Sequence, residues 1–173
     1  FDVNDNLCLD HRRLTPVGEE PGIVVYKTVP DTFVKVIGHF PADAKEKTPN
    51  NALFFEALLP SRLVVEFGNG PGGKPLARGG VPRVWLATKT HDGRGNTMTY
   101  SRCFAERDGY TAEYALTGIQ YTAFEGATKV APSRAVRLVY GTKDTTDIHV
   151  QYAHGMALQS ALRLDVIQML GPE

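Results

Sequence analysis

The sequence predicts a mainly β protein, an antiparallel β-sandwich or barrel-like domain of about nine or ten strands with one C-terminal α-helix. Three observations predict it. Apolar and polar residues alternate with period two through most of the chain, which puts one face of each segment into a core and leaves the other wet. Turn residues (Gly, Pro, Asn, Asp) punctuate those segments at roughly 8–15-residue spacing, as in sheets built from many short strands. The last segment changes to helical spacing, with Leu158, Ala161, Leu162, Val166, Met169 and Leu170 apolar and Gly171-Pro172 as a stop signal.

Residues 1–22, which include Pro16, Gly18, Pro21 and Gly22, read as an N-terminal arm, and 23–173 as a single β-rich domain ending in a helix at about 156–170. Residues 23–27 and 32–37 are strands turned by Val29-Pro30-Asp31, and 38–51 is a polar loop bounded by Pro41 and Pro49. The apolar run 52–59 fits either a strand or two turns of helix, and Pro60 ends it either way. Strand 62–67 leads into the glycine-rich loop 68–80. Strand 82–89 follows, and 91–96 is a hairpin tip. Across 97–126 three alternating segments (98–104, 112–116, 119–124) are broken by Asp108-Gly109 and Thr117-Gly118, which predicts a three-stranded meander. Residues 136–140 and 147–152 complete the strands.

Composition narrows the function classes. The 173 residues are 42% hydrophobic and 22% charged, the balance of an ordinary globular domain. Lys+Arg and Asp+Glu stand at 19 each, so there is no basic excess to neutralise phosphate and no nucleic-acid partner is expected. No apolar run approaches the roughly 20 residues of a membrane-spanning helix. The chain starts at Phe1 without an initiator Met, which points to a removed leader or an excised fragment and so to a secreted or extracellular protein. Cys8 and Cys103 then read as one disulfide tying the arm to the sheet.

Several stretches invite a chemical reading. GNGPGGK at 68–74 nearly spells a phosphate-binding loop, but the next residue, Pro75, has neither the hydroxyl for magnesium nor a backbone N–H for phosphate. A flexible surface loop is the better reading. FDVNDN at 1–6 resembles the calcium-binding linker of cadherins, D-x-N-D-N followed by Ala-Pro. The resemblance covers these six residues, departs at Leu7-Cys8, and implies Asp2, Asn4, Asp5 and Asn6 as oxygen ligands for calcium. An Asx-rich turn explains the same residues. Cys103, His149 and Asp165 occur in the order of a thiol hydrolase or deamidase, with His149 as base and Asp165 as its orienter. Cys103 lies in a strand pattern, away from any helix N-terminus that would activate it. The five histidines show no metal-ligand spacing, and no cofactor is implied.

The expected function is therefore a non-enzymatic extracellular recognition domain presenting loops 38–51, 68–80 and 91–96 to a glycan or protein partner. Asn69, Lys74, Arg78, His91, Asp92, Arg94 and Asn96 are the candidate ligand-binding residues. The thiol enzyme and a structural subunit of an assembly, with homo-oligomer formation as one form of it, are the alternatives.

Overall fold

A computed structural model describes residues 5–172, and these hold fourteen strands. In chain order they are β1 (Cys8–Leu9), β2 (Arg12–Glu20), β3 (Ile23–Val29), β4 (Lys35–His39), β5 (Phe54–Leu58), β6 (Val64–Phe67), β7 (Ala87–His91), β8 (Asn96–Arg107), β9 (Tyr110–Glu125), β10 (Lys129–Val130), β11 (Arg134–Thr142), β12 (His149–Ala153), β13 (Met156–Ser160) and β14 (Leu162–Leu170). Twelve form one sheet in the order β1 to β9, then β11 and β14, with β10 paired to β9; β12 and β13 make a separate two-stranded sheet. Every pairing is antiparallel, so the sheet is a meander in which neighbours in sequence are neighbours in space until the chain leaves β11 to make the β12–β13 hairpin.

The mainly β, antiparallel expectation holds, and the strands outnumber the nine or ten expected. The arm read as irregular contains β2, whose register shifts between Pro16 and Gly18. A bulge is where a strand tolerates a residue with no N–H to donate. Asp108 and Gly109 both take positive φ (48° and 77°), making the tight turn between β8 and β9 that the Asp-Gly pair predicts. Thr117-Gly118 does not turn the chain. β9 runs through it for 16 residues, and the pairing with β8 slips between Ser101 and Arg102, which absorbs Thr117 without ending the strand.

The C-terminal helix is overturned: 156–170 is β13 and β14. The physical reason is a bulge. β14 pairs Tyr140 with Leu164 but Val139 with Val166, so Asp165 is an extra residue that reverses the phase of alternation. Leu162 and Leu164 on one side of the slip, and Val166, Met169 and Leu170 beyond it, then read as three- and four-residue spacing in a sequence that is nevertheless strand. The disulfide is overturned as well. Cys8 and Cys103 are both free thiols, one on the first strand of the meander and one on the eighth.

Two apolar clusters hold the fold. Leu14, Val24, Tyr26, Val36, Phe55 and Ala57 line one face of β2–β5, covered by Phe40 and Ala52 and flanked by Trp85, whose ring meets Phe55 edge-on at 5.1 Å. The second, smaller cluster packs Tyr110 and Ala112 at the tip of the β8–β9 hairpin against Ala77 and Met156. No residue of β11 or β14 belongs to either cluster.

Candidate functional site

Alternation sends Phe55 and Ala57 inward from β5 and turns Phe54, Glu56 and Leu58 to the opposite face. On that outer face Glu56 stands directly across from Glu66 of β6, and Glu66 across from Lys89 of β7. Histidines flank the two carboxylates. His39 Nε2 lies 2.7 Å from Glu56 Oε2, its ring stacked on Phe54 at 4.1 Å, and His91 Nε2 lies 4.0 Å from Glu66 Oε1. Lys89 Nζ is 3.8 Å from Glu66 but only 2.6 Å from Glu125. That short contact is the main reason the Glu125 carboxyl sits below the usual carboxylate range. The result is a polar row, His39–Glu56–Glu66–His91, laid across four adjacent strands.

Of the residues expected to bind a ligand, Asn69 and His91 converge on this row, since Asn69 Nδ2 donates to Glu66 Oε2 at 2.6 Å. Their meeting point, Glu66, and its neighbour Glu56 were missed. The available signal was a single acid inside each of two apolar strand patterns, FFEAL and VVEF.

The remaining candidate loop residues make local contacts, Arg94 through its backbone N–H alone. Asp92 Oδ1 accepts from the backbone N–H of Arg94 and Asn96 at 2.9 and 3.0 Å, and its Oδ2 accepts from Asn96 Nδ2 at 2.8 Å. These bonds, led by the Asn96 side chain, lower the Asp92 pKa. Segment 68–80 folds back over the sheet. Leu76 exchanges hydrogen bonds with Thr111, Pro75 and Ala77 are buried, and Lys74 Nζ reaches the Ala52 carbonyl at 3.3 Å. Burial lowers the Lys74 pKa. Arg78 lies over the Tyr110 ring, its guanidinium carbon 5.7 Å from the centroid.

The thiol constellation is not joined by hydrogen bonds among the described residues. Cys103 faces Ala115 across β8–β9, His149 is exposed on β12, and Asp165 accepts from Arg163 Nε at 2.7 Å. Asp2 and Asn4 lie outside the described residues. Asp5 and Asn6 line a cleft of about 420 Å³ whose wall includes Leu7, Arg83, Trp85 and His154.

The ribbon of β11 and β14 carries exposed apolar side chains on both faces. Pairing aligns Val136 with Met169 and Leu138 with Ile167 on one face, and Ala135 with Leu170 and Val139 with Val166 on the other. Ile167 is 58% exposed and Met169 74%. Among the described residues β14 pairs only with β11, which leaves its outer backbone edge open. Glu113 fixes the root of the ribbon, its carboxylate accepting the Ala161 and Leu162 N–H groups at 2.9–3.0 Å.

Comparison with known structures finds a similar fold in a Tc holotoxin, in TcdB2–TccC3 and in a bacterial effector protein. The chain resembles part of the TcdB2–TccC3 crystal structure (TM-score 0.70, 13% identity), over 91% of its own length and 10% of that chain. It matches the Photorhabdus luminescens Tc holotoxin pore over the same shares at a TM-score of 0.69 and 13% identity. The N-terminal domain of the effector protein SpvB from Salmonella typhimurium strain LT2 matches at a TM-score of 0.66 and 12% identity, over 93% of this chain and 59% of that one. This chain therefore spans a small part of the toxin chains and under two thirds of the SpvB domain. At such identity the likeness is one of fold. No family model matches, and no curated protein does.

Proposed function

We propose that this chain is a non-enzymatic β-sheet module of a secreted protein assembly, docking onto a partner protein through the β11–β14 ribbon. The observation that carries the reading is the second half of β14, Val166–Ile167–Gln168–Met169–Leu170, exposed and free of charge along an open strand edge. A two-stranded ribbon with apolar residues on both faces is marginal by itself, and a third strand or a covering layer stabilises it. The occupant that fits is a strand of another protein laid along β14, its backbone completing the ladder and its apolar side chains continuing both strips. Arg163 and the Asp165 bulge guard the first half of the strand, which limits docking to residues 166–170.

The fold neighbours support this reading, since the matching region sits inside much longer chains of a holotoxin and of TcdB2–TccC3, and a further match comes from an effector protein. They accord with the secreted location expected from the sequence. No observation favours a glycan as partner. Of the three loops expected to bind, 68–80 is packed inward over its middle, 72–77, and 91–96 is closed on itself. Taking 23–173 as one domain with 1–22 as its arm remains part of this proposal, with β2 drawing the arm into the sheet.

The test uses the edge itself. Without its partner the wild-type protein self-associates with rising concentration in sedimentation velocity, and the double variant Ile167→Lys, Met169→Lys stays monomeric with an unchanged melting temperature. A wild-type protein that is monomeric throughout, with the outward amides of 166–170 already protected from hydrogen exchange, overturns the reading.

A further inference from the structure

Two carboxylates held face to face on adjacent strands repel each other unless a cation lies between or beside them. Glu56 and Glu66 are such a pair, and one potential ligand atom from each, together with one ring nitrogen of His91, lies within 4.8 Å of the other two. We propose that Glu56, Glu66 and His91 form a binding site for a first-row divalent metal ion, with Zn²⁺ the best match. A tetrahedral ion with bonds of about 2.0–2.1 Å needs ligand atoms about 3.3 Å apart, so atoms already within 4.8 Å of one another need to close by no more than about 1.5 Å. Two carboxylates and one imidazole leave a fourth position for water, and the imidazole favours zinc over calcium or magnesium.

The surroundings fit that role. His39 bonds Glu56 Oε2 and leaves Oε1 for the ion, and the Phe54 stack holds the imidazole in place, as an outer partner of a ligating carboxylate should be held. Asn69 does the same for Glu66 through Oε2. The cation nearest the row is Lys89, already drawn to Glu125, so its ammonium need not leave for the ion to enter. Lys35 stands on the same face of β4, beyond Ile37, and is exposed. The three ligand side chains are partly exposed (26%, 12% and 31% for Glu56, Glu66 and His91), which gives an ion a path from solvent.

The site is independent of the ribbon, and its test is separate. The chelator-treated 173-residue chain carrying Cys8→Ser, which removes the exposed thiol as a competing ligand, is titrated with ZnCl₂ by calorimetry and by thermal melting. The expected result is one Zn²⁺ per chain with micromolar or tighter affinity and a raised melting temperature, with no response to CaCl₂ or MgCl₂ at equal concentration. Glu66→Gln and His91→Ala each abolish the shift, and His39→Ala weakens binding by about tenfold or more. Glu56→Gln serves as the second ligand variant should His91→Ala fail to fold, as judged by circular dichroism. Exposed His149→Ala leaves binding unchanged. The proposal is overturned if the parent protein gives neither heat nor shift up to millimolar Zn²⁺, if the folded ligand variants bind like the parent, or if calcium binds where zinc does not.

Discussion

Thr111→Val tests whether segment 68–80 is part of the core or a presented loop. Thr111 is fully buried at the start of β9. Its Oγ1 accepts the Leu76 N–H at 2.9 Å and donates to Glu106 Oε1 at 2.9 Å, while its own N–H donates to the Leu76 carbonyl at 2.9 Å. Valine keeps the shape and the backbone bond but removes the hydroxyl. Glu106 is exposed, so water replaces its lost donor at little cost. The Leu76 N–H points at the fully buried Thr111, and a donor orphaned there costs about 1–3 kcal/mol. Taking about 2 kcal/mol, the melting temperature of a domain this size falls by about 4–8 °C. The assay is thermal unfolding by circular dichroism, paired with limited proteolysis across 68–80. A variant that melts with the wild type and is cut no faster in that segment refutes the reasoning, because the segment would then be free of the sheet.

Glu113→Ala removes the acceptor of three hydrogen-bond contacts at the root of β14 and should cost about 1.5–3 kcal/mol, with hydrogen exchange accelerating at Ala161 and Leu162. Unchanged exchange there would show that β11 pairing alone positions the ribbon. Asp92 should titrate below its ordinary value of 3.8, because the hairpin tip hydrogen-bonds its charged form. Its contribution to stability is present above pH 3.8 and is lost as the pH falls through the lowered folded value. A carboxyl-carbon NMR titration with its midpoint at or above 3.8 would contradict this.

Several strands were legible because each is set by its own residues. The apolar run IVVYKTV and the Asp108-Gly109 turn act within a few positions, whereas the run around FFEAL stayed open between strand and helix until its pairing with β4 and β6 made it a strand. Thr117-Gly118 failed as a turn because β8 and β11 pair on either side of it, and two ladders of hydrogen bonds outweigh one flexible residue. The glycine-rich segment 68–80 reads as a loop because nothing local shows that Thr111, 35 positions from Leu76, will bond it down.

The sequence by itself determined that this chain is β-rich, roughly where several of its strands lie, and that it carries no net charge. Those properties follow from side-chain period and charge count, which are local or additive. The tertiary structure alone decided that β14 is a strand, since a bulge at Asp165 disguises its period and pairing with β11 settles it. It decided that two cysteines on distant strands stay apart, and that Glu56, Glu66 and His91, far separated in sequence, share one face. Each of these depends on strand register, a quantity that sequence spacing does not carry and that one inserted residue reverses.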